Sequence, residues 1–287
     1  MTTSRAGLIL MGGGADVDAA FTWQRDRIGG GDVVVLRTSL ADGYNSYLFE
    51  DIGGVDSVET LRVDTRALAD DPYVRWTLDH AEAIFLAGGD QATYVNAWRG
   101  TAVAEALQRA PQRGAVIGGT SAGCAFLGEI VYSAQLGSVV TAEALADPYD
   151  SRVTLEHDVL ALTTLSGVVT DTHFAARDRM GRLLAFTARA MADGLSARPL
   201  GVGVDEATAV VVDEMGEGTV VGSGSVYVIV GDHAPTRCTS GQPLAWSNVP
   251  LYELRAGDSI TFPSGATQAP VRMISASGGT LSPGNPY

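Results

Sequence analysis

The sequence predicts an α/β protein of three layers, with helices on both faces of a mostly parallel central sheet and an antiparallel extension after it. Two observations predict this fold. Short runs that are apolar throughout, such as residues 7–11 and 83–87, alternate with segments of helical character. Strands of a parallel sheet are buried on both faces and therefore form continuous apolar runs. After residue 201, short strands instead follow one another through tight turns, which is typical of an antiparallel meander.

The predicted elements of the first two thirds follow in order along the chain. Strands are expected at 7–11, 32–36, 59–63, 83–87, 114–117 and 165–171. One helix is expected to begin near residue 16, and others are expected over 72–81, 92–108 and 174–191. Pro72 suits the first turn of its helix, because the N–H that proline lacks would be unpaired there. Residues 42–47 are predicted to be a surface loop or a helix start. Residues 130–158 are predicted to be an excursion whose loops can close over a site.

The last third is predicted to belong to the same domain. A meander over 201–230 and a final hairpin of 249–254 with 259–262 follow without a linker, so we expect them to extend the main sheet. The chain is therefore interpreted as a single domain, 1–287, with its core over about 7–262. The tail at 263–287 is rich in Ser, Gly and Pro, and is expected to wrap the surface or to fray.

Composition excludes several classes of function. The chain has 287 residues and a net charge of −14, which opposes binding to nucleic acid or anionic membranes and favours a neutral or basic partner. No apolar run approaches the roughly 18 residues of a membrane span. The run at 6–11 is too short for the core of a signal peptide, so a cytoplasmic protein is expected. Its two cysteines, Cys124 and Cys238, form neither a metal-type pair nor a disulfide framework.

Three glycines, residues 12–14, follow the first predicted strand. A phosphate-binding turn of a dinucleotide site would need the spacing G-x-G-x-x-G, but Val17 stands at the last position. The alternative is a loop that passes close to a ligand or to another loop.

Residues 118–123, GGTSAG, are predicted to be a nucleophile elbow. An apolar strand precedes them, small apolar residues suited to a helix follow them, and Ser121 stands at the corner of a G-x-S-x-G pattern. Gly119 and Gly123 flank the serine where the backbone is expected to pass too close for a Cβ. N–H groups at the start of the following helix point to the same place and can stabilise an oxyanion. The alternative is a glycine-rich turn whose serine only caps a helix.

A serine nucleophile needs a base, and the chain offers four histidines. His80, His157 and His233 lie among charged or turn residues and are interpreted as solvent-facing. His173 follows a predicted strand end, at the edge where Ser121 is expected, so it is the candidate base. The candidate acid is Glu206, with Asp205 as the fallback. Alternation places Glu206 on the face of Val202 and Val204, where a carboxylate needs a partner.

Four motifs of this chain resemble, in the same order, the cyanophycinase and peptidase E family of serine peptidases, family S51. They are residues 88–91 (GGDQ), residues 118–123 (GGTSAG), Asp171-x-His173-Phe174 with the arginines that follow, and residues 201–208 (GVGVDEAT). The resemblance covers about residues 7–260. The order of the candidates also separates the chain from α/β-hydrolases, in which the acid precedes the histidine.

The resemblance implies a flavodoxin-like fold similar to class I glutamine amidotransferases, and a triad of Ser121, His173 and Glu206. It implies an oxyanion hole made by the backbone N–H groups of Gly89 and Ala122. It also implies a small peptide or isopeptide substrate with a β-aspartyl bond, possibly containing arginine, and a homodimer that uses no metal and no cofactor. Whether the enzyme acts on β-aspartyl or on ordinary α-aspartyl bonds, as in peptidase E, is left open.

The resemblance also implies a substrate pocket. Its candidate residues are Gln91, Asp171, Thr172 and Arg179, together with Arg177 and Arg182, which either hold substrate carboxylates or pair with local acids. Two residues depart from the family pattern. Cys124 stands where alanine is usual and is interpreted as a small buried residue. Thr172 stands where cyanophycinases tend to have glutamine, which bears on the polymer substrate. A non-catalytic module that binds a metabolite in the same cleft is the alternative from another class of function.

Overall fold

The computed structural model describes residues 4–39 and 43–287. Its strands are β1 (Gly7–Met11), β2 (Asp32–Arg37), β3 (Ser57–Arg62), β4 (Ala83–Leu86), β5 (Val116–Thr120), β6 (Val131–Tyr132), β7 (Leu155–Glu156), β8 (Val168–Asp171), β9 (Leu200–Val204), β10 (Thr208–Val212), β11 (Glu217–Gly222), β12 (Val226–Val230), β13 (Trp246–Leu254), β14 (Ser259–Thr261), β15 (Val271–Ser277) and β16 (Thr280–Ser282). Its α-helices are α1 (Asp18–Ile28), α2 (Arg66–Ala69), α3 (Pro72–His80), α4 (Gln91–Trp98), α5 (Ala102–Arg109), α6 (Ala122–Leu127), α7 (Thr141–Ala146) and α8 (Met180–Ala192).

The predicted α/β fold with a large, mostly parallel sheet is confirmed. The main sheet has the strand order β14-β11-β10-β1-β5-β4-β2-β3. Its strands β1, β5, β4, β2 and β3 are parallel to one another, and β10, β11 and β14 continue it antiparallel. The apolar strands β1 and β4 are buried along their whole length, as strands covered on both faces must be.

A second sheet was not predicted. Its order is β16-β15-β13-β12-β9-β8, and only β8 and β9 in it are parallel. The chain crosses between the sheets at residues 205–207, so β9 and β12 lie in the second sheet while β10 and β11 lie in the main one. The meander therefore does not simply extend the main sheet. Val202 and Val228 of the second sheet share one apolar cluster with Leu10 and Val34 of the main sheet.

One expectation for the last third was wrong, and one of the two alternatives for its tail is excluded. Residues 249–254 and 259–262 do not form a hairpin, because β13 pairs with β12 and β15 whereas β14 pairs with β11 of the other sheet. The tail is not a frayed coil, because residues 263–287 contribute β15 and β16 to the second sheet. Ile274 in β15 is fully buried in the apolar cluster beneath that sheet.

The helices follow local rules, with one break that was not predicted. Asp71 caps α3, since its carboxylate accepts a hydrogen bond from the Tyr73 N–H at 2.8 Å, and Pro72 occupies the first turn. The helix expected over 92–108 is two helices, α4 and α5. Gly100 has φ of +64°, and the Thr101 hydroxyl donates to the Trp98 carbonyl at 2.6 Å, which ends the first helix.

The polar, aromatic stretch predicted at 42–47 begins with Asp42, which lies outside the described residues. From Tyr47 the chain forms a π-helical turn, Tyr47–Ile52. Among the described helices, none is both long enough and apolar enough to cross a bilayer.

Candidate active site

Five chain segments meet where strands of the two sheets end. The main sheet brings the loops after β1, β4 and β5, and the second sheet brings the loops after β8 and β9. Backbone bonds join them: the N–H groups of His173 and Ala207 donate to the carbonyls of Gly12 and Gly13 at 2.8 and 2.9 Å, and the Ser121 N–H donates to Met11 at 3.1 Å. The strand ends therefore converge as expected, but at the junction of two sheets.

Ser121 stands at a sharp strand-to-helix corner. Its φ of 51° and ψ of −119° are rarely adopted by a residue with a Cβ, so the surroundings must hold it there. An added Cβ at Gly119 would lie 2.6 Å from the Gly123 carbonyl carbon, and one at Gly123 would lie 2.1 Å from the Leu86 oxygen. Both flanking positions therefore require glycine, as the elbow pattern predicts.

The side chains of Ser121, His173 and Glu206 form one hydrogen-bonded row. Ser121 Oγ lies 2.8 Å from His173 Nε2, and His173 Nδ1 lies 2.6 Å from Glu206 Oε1. The Glu206 carboxylate accepts a hydrogen bond from the His173 Nδ1–H, which leaves the Nε2 of the neutral imidazole free to accept a proton from the serine. The His173 side chain is 12% exposed and that of Glu206 is 43% exposed.

The glycine loop after β1 supports this row. An added Cβ at Gly13 would lie 2.6 Å from the His173 ring, and one at Gly14 would lie 2.9 Å from the Glu206 Cβ. Both glycines have positive φ, 94° and 72°. The interpretation as a loop that passes close to another loop is therefore confirmed, and the close neighbours are the candidate base and acid.

The structure distinguishes Glu206 from Asp205 as the partner of His173. The Asp205 carboxylate accepts hydrogen bonds from the backbone N–H groups of Ala175 at 2.8 Å and Ser225 at 3.0 Å, whereas Glu206 contacts His173. The reason given from the sequence was wrong. Strand β9 ends at Val204, so its alternation does not continue to Glu206, whose side chain is not buried among the valines.

Burial and charge set the protonation of this pair. Burial lowers the pKa of His173 below its ordinary value of 6.5, the hydrogen bond with Glu206 raises it, and the charges of Arg177 and Arg179 lower it. The hydrogen bond with His173 lowers the pKa of Glu206. At neutral pH the imidazole is therefore neutral and the carboxylate ionised, which are the states that proton abstraction from a serine requires.

Asp171 and Arg182 form a buried ion pair. The Arg182 Nε and Nη2 atoms donate to the two Asp171 carboxylate oxygens at 2.7 and 2.6 Å, and both residues are 2% exposed. Arg182 also donates to the Ser138 hydroxyl and the Val139 carbonyl at 3.2 Å each. Of the two alternatives stated for Arg182, pairing with a local acid is the one observed.

Arg179 joins the same cluster from the side of the cleft. Its Nη1 donates to the Asp171 carboxylate at 3.3 Å and to the Thr172 carbonyl at 2.7 Å. Burial lowers the pKa of Arg179 to about 10, so the guanidinium stays charged at neutral pH. Arg177, in contrast, is exposed, and within residues 4–39 and 43–287 its guanidinium makes neither a hydrogen bond nor an ion pair.

The loop after β4 passes beside the serine. An added Cβ at Gly88 would lie 3.5 Å from the Ser121 Cβ. Gln91 is the first residue of α4, whose N-cap Asp90 accepts hydrogen bonds from the next turn. An added Cβ at Gly89 would lie 3.2 Å from the Tyr94 hydroxyl and 3.4 Å from Thr38 Oγ1. Sequence reasoning missed Tyr94 and Thr38; the available signal was that Thr38 lies two residues after the end of the second predicted strand.

The other singled-out residues take structural places. Cys124 is fully buried, and burial raises the pKa of its thiol, which fits a small core residue and not a second nucleophile. His80, His157 and His233 are all exposed, as predicted.

The sequence of this chain is similar to those of known proteins. The profile of peptidase family S51 matches residues 40–217. A cyanophycinase from Trichormus variabilis is 30% identical over 222 residues, which cover 74% of this chain and 67% of that protein. A cyanophycinase from Geminocystis herdmanii is 30% identical over 230 residues, which cover 77% and 76% of the two chains.

Among solved structures, a peptidase from an acI-B1 actinobacterium matches with a TM-score of 0.61 over 91% of this chain and 99% of its own. At 18% identity that likeness shows the fold alone. The family rests on the sequence matches: the chain belongs to peptidase family S51.

Proposed function

We propose that this member of the family is a serine-type peptidase that cleaves β-aspartyl or aspartyl peptide bonds with a Ser121–His173–Glu206 triad. The observation that carries the proposal is the hydrogen-bonded row from Ser121 Oγ through His173 to Glu206, with distances of 2.8 and 2.6 Å. The strained backbone of Ser121 at the start of α6 supports it, because a helix-capping serine needs no such conformation.

The proposed reaction proceeds through an acyl-enzyme. His173 Nε2 takes the Ser121 hydroxyl proton as the oxygen attacks the substrate carbonyl, and Glu206 stabilises the imidazolium that forms. His173 then gives the proton to the leaving amine as the C–N bond breaks. Water attacks the ester in the second half, with His173 again as base, and releases the acid and free Ser121.

The oxyanion is proposed to bind the backbone N–H groups of Ala122 and Gly89. Ala122 is the first residue of α6, and the first N–H groups of a helix have no acceptor inside it. Gly89 follows Gly88, which lies beside the Ser121 Cβ. Such preorganised donors commonly contribute about 3 kcal/mol each to stabilisation of the transition state.

The substrate is proposed to present a carboxylate to Arg177 and Arg179. Arg177 is an exposed cation without an ion-pair partner among the described residues, and Arg179 lies at the margin of the buried cluster. Gln91 is proposed to line the same pocket, whereas Thr172 is 2% exposed and is proposed to support it through its backbone carbonyl, which binds Arg179. Asp171 and Arg182 are proposed to support that pocket by holding Arg179. They are not proposed to bind substrate, because their side chains pair with each other. The net charge of −14 favours a basic residue such as arginine in the leaving group.

The test is release of free amine from β-aspartyl-arginine, from other isoaspartyl dipeptides and from α-aspartyl dipeptides, with Ser121→Ala as control. Turnover that falls by at least about a thousandfold in Ser121→Ala supports the triad. The dipeptide that is cleaved separates cyanophycinase-like from peptidase E-like specificity. Full activity in Ser121→Ala contradicts the serine mechanism, and binding without any turnover or serine labelling favours a non-catalytic module. The homodimer stays a prediction.

A further inference from the structure

Residues 173–180 carry three side chains of the proposed site, His173, Arg177 and Arg179, with little regular structure between them. Two residues in this segment that are not glycine have left-handed backbones, His173 and Asp178, both with φ of 47°. Such conformations persist only where surrounding contacts impose them. The contacts on this segment therefore decide where the base and the two guanidinium groups lie.

The first half of the segment is held by the strand ends. The N–H groups of His173 and Phe174 donate to the carbonyls of Gly12 at 2.8 Å and Val204 at 3.3 Å. The Ala175 N–H donates to an Asp205 carboxylate oxygen at 2.8 Å. These bonds fix the end that carries His173.

The second half is held by a residue far along the chain. Met180 is the first residue of α8, and the preceding Arg179 supplies no side-chain cap. The Met180 N–H donates instead to the Tyr287 hydroxyl at 2.9 Å, and that hydroxyl donates to Asp178 Oδ1 at 3.1 Å. One hydroxyl group thus joins the two residues on either side of Arg179 and satisfies an N–H that the helix leaves unpaired.

The ring of Tyr287 packs against two other aromatic rings. It makes edge contacts with Phe174 and Tyr227, at centroid distances of 6.1 and 5.5 Å, and these two rings lie 5.4 Å apart. Phe174 directly follows His173, so both ends of the segment contact Tyr287. Strands β15 and β16, which precede Tyr287, lie beyond residue 217, where the family match ends.

We propose that Tyr287 is a positioning residue for substrate binding: through Asp178 and Met180 it holds Arg177 and Arg179 where they receive the substrate carboxylate. The proposal rests on the proposed function. It concerns binding and not bond cleavage, because the bonds to Gly12, Val204 and Asp205 hold His173 at the other end of the segment.

The test compares Tyr287→Phe with Tyr149→Phe. The Tyr149 hydroxyl donates to Asp193 Oδ1 at 2.7 Å just beyond the other end of α8, so each variant loses one tyrosine–aspartate bond next to this helix. Tyr287→Phe also loses the bond from the Met180 N–H. With β-aspartyl-arginine as substrate, Tyr287→Phe is expected to raise KM about fivefold with kcat within about twofold, as for the loss of one hydrogen bond used in binding. Tyr149→Phe is expected to leave both constants unchanged.

Equal KM values for the two variants and the wild type overturn the role of Tyr287, as does a loss confined to kcat. Wild-type enzyme that leaves β-aspartyl-arginine intact contradicts cyanophycinase-like specificity instead. In that event amide hydrogen exchange over residues 175–180 tests whether Tyr287 holds this segment. Faster exchange in Tyr287→Phe than in Tyr149→Phe supports the positioning contact, and equal exchange overturns it.

Discussion

At the scale of single residues, burial and neighbouring charges of His173 govern how the site should respond to pH. Burial lowers the pKa of His173 below 6.5, the bond with Glu206 raises it, and the charges of Arg177 and Arg179 lower it. Only the neutral imidazole can take the Ser121 proton, so activity falls as the pH drops through this pKa. The acidic limb of the kcat/KM profile is therefore expected below pH 6.5.

Replacement of Arg177 by glutamine removes one influence that lowers the His173 pKa. The acidic limb of kcat/KM is expected to move to higher pH, and KM for a carboxylate-bearing substrate is expected to rise. Arg75→Gln is the matched control, because Arg75 is an exposed arginine of α3 that pairs with Asp79. An acidic limb that stays in place in Arg177→Gln, or that moves equally in both variants, contradicts the effect of Arg177 on the pKa of His173.

Motifs identified these residues to different degrees. The elbow pattern located Ser121, and position after a strand located His173, because both signals are local. Glu206 was chosen through strand alternation, although β9 ends two residues earlier. What distinguishes Glu206 from Asp205 is that Asp205 binds N–H groups of Ala175 and Ser225. Those partners lie 30 and 20 positions away in the chain, so a local sequence pattern does not predict these hydrogen bonds.

At the scale of elements, the glycine loop after β1 acts as a template: it packs against His173 and Glu206 and so sets where these catalytic candidates lie. Gly13 and Gly14 face His173 and Glu206 at distances that leave no room for a Cβ. The run of glycines was visible in the sequence, and it correctly indicated a close approach. The sequence could not name the neighbour, because that depends on how β1, β8 and β9 meet.

Gly13→Ala is expected to lower kcat about hundredfold, because its Cβ would displace the His173 ring, and shifts of about 1 Å in a catalytic group have effects of that size. Gly137→Ala is the matched control. Gly137 also has a positive φ, 99° against 94°, but an added Cβ there meets no described atom within 4 Å. Both variants should lose stability from backbone strain, about 1–3 kcal/mol. Only Gly13→Ala should lose activity, as measured by turnover of the cleaved dipeptide. Equal activity in the two variants contradicts the template role.

At the scale of the whole molecule, the candidate active site depends on two sheets whose strand ends meet at one place. Ser121 comes from the main sheet, whereas His173 and Glu206 follow strands of the second. The parallel half of the main sheet was predictable because most of its strands are apolar runs. The sheet that each later strand joins was not predictable, because strands such as β10, β13 and β14 pair with partners distant in the chain.

The tail provides the sharpest test of this architecture. Residues 263–287 are polar on average, yet β15 lies against β13 and buries Ile274 completely, while the neighbouring Met273 is 50% exposed. If the tail is part of the folded core, Ile274→Ala should lower the free energy of unfolding by about 2–5 kcal/mol, as expected for a cavity in a packed interior. Met273→Ala should change it by no more than about 0.5 kcal/mol. Urea denaturation measures both values. Equal and small effects would mean that the tail detaches from the second sheet, and Tyr287 could not then hold residues 178–180.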